Sequence, residues 1–121
     1  MYRKAFILAF FSLSILASPI DNAVNNGIEW LYSHQNSDST WGSKPLRFFS
    51  TSVVLKSLIL TENRDPVFEA GVEKFLQEAL PSVDHMARFI EVILPLKEDT
   101  TGIVDTLLSF QNPDKGFGIY P

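Results

Sequence analysis

The chain has 121 residues, 45% apolar and 20% charged, with a formal net charge of −4. That length suits one small domain, and no stretch is basic enough to line a nucleic-acid groove. Cysteine is absent, which excludes disulfides, thiolate zinc sites, a cysteine nucleophile and an internal thioester.

The N-terminus reads as a targeting segment. Arg3 and Lys4 precede Ala5–Ala17, which is apolar apart from Ser12 and Ser14, and small residues follow at Ala17 and Ser18. This is the layout of a secretory signal peptide. As a helix the apolar run rises only ~20 Å, short of a ~30 Å hydrocarbon core. Residues 1–17 are therefore expected to be a signal cleaved after Ala17; an uncleaved tether or a buried first helix are the alternatives. Residues 18–121 form the domain. Loss of Arg3 and Lys4 leaves eight basic against 14 acidic residues, a net charge of −6. The expected location is secreted or periplasmic, with no stable transmembrane span after cleavage.

Five helices follow. Asp21–Gln35 carries Val24, Ile28, Leu31 and Tyr32 at helical spacing, and a loop rich in Ser, Asp, Gly and Pro, residues 36–45, ends it. Leu46–Thr61 is the most apolar segment. Arg47 and Lys56 are its charges, so it reads as a helix covered on most sides. Asp65-Pro66 predicts an N-cap followed by proline at the first helical position. Phe68, Val72, Phe75, Leu76 and Ala79 then face inward. Ser82 predicts the cap of a fourth helix, with Met86, Phe89, Ile90, Ile93 and Leu94 inward and Pro95 as its stop. Asp99–Gln111 is the fifth, with Ile103, Val104, Leu107, Leu108 and Phe110; Glu98-Asp99 reads as its N-cap pair. The phenylalanines read as core. No segment alternates like a strand. Short connections favour antiparallel helix pairs.

Two features repeat. Gln35–Pro45 and Gln111–Pro121 align without a gap, 76 residues apart. Gly27-Ile28, Gly71-Val72 and Gly102-Ile103 place glycine before a β-branched residue in the first, third and fifth helices. A mid-helix glycine costs ~1 kcal/mol relative to alanine, so its recurrence suggests close packing of a neighbouring helix. The loop reads as a staple. Gln35 can bond backbone groups at a helix end, Asn36 and Asp38 suit turns, Trp41 offers a wide flat cover, and Gly42 permits a positive φ. Catalysis or metal binding by Asp38 or Asp114 is disfavoured. His34 reads as a helix-end cation and His85 as isolated in a first turn. Ser50, Thr51 and Ser52, with no base in a motif beside them, read as helix surface.

The stretches GIEWLYSHQNSDSTWG and LLSFQNPDKGFG resemble the repeat of the prenyltransferase and squalene-oxidase type, the QW-motif repeat. Gly27, Trp30, Leu31, Gln35, Asp38 and Trp41, with Gly42 behind them, match its pattern. Ser39 stands where that family usually has glycine. In the second copy Leu107, Gln111, Asp114 and Gly118 match; Phe117 replaces Trp, Lys115 replaces Gly, and Thr106 replaces the aromatic. The resemblance covers Asn22–Phe49 and Thr101–Pro121, and the middle pair lacks the loop. It implies an all-α fold, part of an α/α toroid in which outer and inner helices alternate, with Leu46–Thr61 inner. A closed ring needs more helices than these five, and Pro121 aligns with Pro45, where a sixth helix is expected to begin.

The family includes terpenoid cyclases, protein prenyltransferase β subunits and thioester-containing domains. Their chemistry does not carry over, because no acidic cyclase cluster is present and no cysteine exists for zinc or thioester. No catalytic, cofactor-binding or metal-binding residue is assigned and no cofactor is expected. The favoured function is a secreted or periplasmic helical-repeat module with a binding or structural role. The alternatives are a fragment of a squalene-hopene-cyclase-like enzyme and a thioester-domain-like protein-binding module. The expected partner is an unidentified protein or lipid ligand, with self-association possible through the incomplete toroid edge.

Overall fold

The computed structural model describes residues 18–118, so the signal peptide expected at 1–17 lies outside the described residues. Helices α1 (Pro19–Ser33), α2 (Arg47–Leu60), α3 (Pro66–Phe75), α4 (Val83–Ile93) and α5 (Thr101–Ser109) follow one another, with a single 3-10 turn at Leu94–Leu96. The fold is all-α; the described residues form no sheet, and Gln111 and Phe117 make one isolated bridge.

Local chemistry sets most of these boundaries. Ser18 and Asp21 form a reciprocal capping box at the start of α1, with Pro19 in the first turn. Asp65 Oδ1 accepts from the backbone N–H groups of Val67 and Phe68 at 3.0 and 3.1 Å, which starts α3. Ser82 Oγ accepts from the His85 N–H and starts α4. At α5 the N-cap is Thr100 rather than Glu98-Asp99, although the Asp99 carboxylate still accepts from Thr101 N–H at 2.9 Å.

Helix α3 ends earlier than its pattern predicts. The chain leaves the helix after Phe75, with Leu76 as its C-cap. Leu76, at the cap, and Ala79, beyond the helix, are exposed rather than inward. Leu94 likewise turns out to solvent in the 3-10 turn before Pro95, and Val92 takes a core place in its stead.

The core is built from α2, α3 and α4 with one loop residue: Leu55, Leu58, Phe68, Val72, Phe75, Phe89, Val92, Ile93 and Trp41. Phe48, Phe75 and Phe89 stack in a row, with centroids 5.0 and 5.4 Å apart. Phe48 faces Phe75 near one end of α3, while Leu55 lies against Gly71 further back along it, so α2 and α3 are antiparallel. Phe49 contacts Arg88 and Lys56 pairs with Glu91, so α2 and α4 run in the same direction.

Helix α2 is covered on most sides, as expected, and Val53, Lys56, Ser57 and Leu60 form its exposed stripe. Val53 and Leu60 are 56% and 74% exposed, because α3, α4 and the first loop pack on its other face. Thr51 and Ser52, expected at the surface, are buried instead. The two outermost helices, α1 and α5, contribute no fully buried residue. Of the phenylalanines, Phe68, Phe75 and Phe89 are core, while Phe117 is exposed.

Candidate functional site

The two copies of the loop share the same central turn, although the Gln111–Phe117 bridge of the second has no counterpart in the first. In the first, Asn36 N–H donates to Thr40 O and Ser39 N–H to Asn36 O; in the second, Asn112 N–H donates to Gly116 O and Lys115 N–H to Asn112 O. Every position is shifted by the same 76 residues. Side chains follow suit. Gln35 Nε2 donates to Ser39 O and Gln111 Nε2 to Lys115 O, at 3.2 and 2.8 Å. Asp38 Oδ1 accepts from Thr40 N–H, and Asp114 Oδ1 from Gly116 N–H.

Ser39 and Lys115 both adopt left-handed backbone, with φ of 65° and 71°. This is the position where a glycine would be strain-free. Gly42 also has a positive φ of 83°, and a Cβ there would meet Ser50 Oγ at 2.5 Å.

The first loop is tied to three helices. Gln35 Nε2 donates a second bond, 2.9 Å long, to Val67 O in the first turn of α3. Trp41 is 3% exposed, and its indole N–H donates to Leu31 O of α1 at 2.7 Å. Its backbone N–H donates to Thr51 Oγ1 of α2 at 2.9 Å. The far edge of its ring lies over Gly71 of α3, where a Cβ would come within 2.7 Å of the ring. Arg47 bonds Asp38 Oδ2 at 2.7 Å, and Asn36 Nδ2 reaches Gly42 O. A hydrogen bond from the Thr40 hydroxyl, then its N–H and the nearby Arg47 and Lys74, hold the Asp38 carboxyl below its ordinary value.

The recurring glycines divide. Gly71 is needed for close approach, and what approaches is the Trp41 ring rather than a neighbouring helix backbone. Nothing in the described fold comes within 4 Å of a Cβ placed at Gly27 or Gly102. Trp30 is 57% exposed and stacks on His34, whose Nδ1 lies 2.8 Å from Trp30 O. Val24, Gly27, Ile28, Trp30 and Leu31 border an open, almost wholly apolar groove of about 380 Å³ whose far wall is Ser57, Leu58 and Thr61 of α2.

In the second loop Leu107 and Gly118 are half-buried, while Gln111, Asp114 and Phe117 face solvent. Thr51, Thr40, Arg47 and the role of Gly71 escaped the sequence reading. Gly71 had a signal in its repeat; Thr51 had none, being one of three successive hydroxyl residues. His85, far from isolated, packs against Phe48 and Phe49 and lies 2.7 Å from Ser82 Oγ.

No group of three His, Asp or Glu side chains among the described residues is placed to hold a metal. No described helix is long and apolar enough to cross a membrane. Chemically the site is a set of satisfied backbone and amide hydrogen bonds around a buried indole, suited to joining elements. No family model, curated protein or solved structure matches the chain.

Proposed function

We propose that the protein is an exported helical-repeat module of the prenyltransferase and squalene-oxidase type, part of an α/α toroid, that serves to bind and hold another surface. One observation carries this reading: two loops with the same hydrogen bonds in the same register, the first of which joins three helices while the second offers the same groups outward. The common direction of α2 and α4 supports an inner position for both. The apolar groove beside α1 supports a binding rather than a purely space-filling role.

The test is made in the exporting cell. Intact-mass analysis of the exported chain should give a mass that begins at Ser18. The native mass of the exported protein should exceed that of the free chain and fall to it in Phe117→Asp, while Glu69→Ala, on the outer face of α3, leaves it unchanged. A free chain in both the wild type and Phe117→Asp would overturn the binding role. Retention of residues 1–17 would overturn export with cleavage.

A further inference from the structure

The contact between the first loop and α3 has two halves, and each half occurs a second time in the molecule without its mate. The loop half is a glutamine with an aromatic six residues on: Gln35 and Trp41, then Gln111 and Phe117. The helix half is a glycine with a backbone carbonyl four residues before it: Gly71 receives the Trp41 ring edge and Val67 O receives the Gln35 amide. Moving back 44 residues from α3 to α1 puts Gly27 on Gly71, Ala23 on Val67, Val24 on Phe68, Ile28 on Val72 and Leu31 on Phe75. Four apolar positions around the glycine coincide, although Asn26 stands where α3 has Ala70.

The states of the two copies differ. Around Gly71 the apolar positions are buried; around Gly27 the Val24 side chain is 41% exposed and nothing described stands over the glycine. Around Trp41 the ring is buried; Phe117 is 42% exposed, and the Gln111 amide bonds only within its own loop among the described residues. Gly102 is open too, but Asp99 and Thr106 occupy the places where α3 has Phe68 and Phe75, so it lacks the apolar seat.

We propose that the protein associates head to tail with a second copy of itself: the loop at Gln111–Phe117 of one copy docks on the α1 groove of the next. Phe117 sits over Gly27, and the Gln111 amide donates to Ala23 O, as Trp41 and Gln35 do with Gly71 and Val67 inside one chain. This rests on the binding role proposed above and names its partner. The contact is heterologous, since the two surfaces differ, and a pair of copies leaves one loop and one groove free for further neighbours. Leu58, Ile28 and Leu31 line the floor that the Phe117 ring would cover.

The experiment uses the purified exported chain, from Ser18 onward, and two variants of it, Phe117→Asp and Gly27→Gln. Both positions are exposed, and circular dichroism should show wild-type helix content in each. Sedimentation should give a wild-type mass that rises with concentration. Each variant alone should remain at the monomer mass, because each lacks one half of the contact. Mixed in equal amounts, the two should give twice the monomer mass and no more, since the intact groove of Phe117→Asp accepts the intact loop of Gly27→Gln. A mixture that stays monomeric, or single variants that still assemble, would overturn the proposal. So would a wild type that is monomeric up to millimolar concentration, including one whose Trp30 fluorescence instead responds to an added fatty acid. If native assembly in the exporting cell still needs Phe117 while the purified chain is monomeric, the binding role stands and self-association falls.

Discussion

The first and second loops share a sequence pattern and the same turn hydrogen bonds, yet one is a core element and the other a surface feature. Ser39 and Lys115 have the same left-handed backbone. Trp41 is 3% exposed and Phe117 42%. A loop can therefore be closed locally by its own Gln, Asn and Asp bonds, while its energetic weight depends on what stands opposite it. In the first copy that is the Gly71 face of α3. Full burial of a large ring against a helix is worth kilocalories; Phe117, 42% exposed, gains less.

The aromatic pair should separate most. Trp41→Ala removes a fully buried indole together with its bond to Leu31 O and should cost about 3–5 kcal/mol. At roughly 4–8 °C per kcal/mol for a domain of this size, the thermal midpoint falls by tens of degrees or folding is lost. Phe117→Ala, which removes a partly covered ring, should cost the monomer roughly 1 kcal/mol. Equal losses would mean that the second loop is as deeply seated as the first.

The glycines should differ in sign. Gly71→Ala drives a methyl to within 2.7 Å of the Trp41 ring and should destabilise by about 1–3 kcal/mol. Gly27→Ala meets open space, so the better helix propensity of alanine should stabilise by up to about 1 kcal/mol. Denaturant midpoints of both variants, taken at dilution, decide this.

The glutamines come next. Gln35→Ala leaves Val67 O without its second donor and should cost about 1–2 kcal/mol. Gln111→Ala, in the exposed copy, should cost less than about 0.5 kcal/mol. Urea titration of the two variants side by side would show whether the α3 bond carries the difference.

Acid should act on the first loop as well. The Asp38 carboxyl is held below its ordinary value of 3.8, first by the Thr40 hydroxyl. Asp21 is lowered chiefly by the Ser18 hydroxyl and Asp99 chiefly by the Thr101 backbone N–H. A carboxyl whose folded value lies below its unfolded value stabilises the fold above the unfolded value and loses that contribution as pH falls through the folded one. The midpoint should hold steady above about pH 5 and decline below about pH 4. Asp38→Asn should reduce that decline, as thermal melts across the range would show.

The smallest effects should be equal in the two loops. Ser39→Gly and Lys115→Gly each relieve left-handed backbone strain of about 1–2 kcal/mol, offset by the greater unfolded-state freedom of glycine. A gain of about 0.5 kcal/mol in both is expected from calorimetry. A gain in one copy alone would show that the shared backbone is not equally strained.

Much of this was legible from residue order. Helix starts at Asp65-Pro66 and Ser82 followed from capping chemistry, which is local. The loop's turn bonds followed from Asn and Asp at fixed offsets. Its duplication was visible because hydrogen bonds between near neighbours need particular residues at particular spacings. Long-range packing left weaker marks. Thr51 looked like helix surface because a hydroxyl has no apolar signature, and only the arrival of the Trp41 backbone makes it a buried acceptor. Leu76 and Leu94 kept the inward spacing and helical backbone, but each stands at a helix C-cap that its neighbours leave exposed.

What residue order alone determined, then, is the all-helical class, the positions of the helices and the closed form of both loops, since each rests on contacts within a few residues. Tertiary structure decided which loop is buried and which glycine is indispensable. Trp41 and Phe117 stand in equivalent places in their repeats, and so do Gly71 and Gly27. A ring is stabilised in proportion to the area that another surface takes from water, and of the two loop aromatics α3 covers Trp41 and not Phe117.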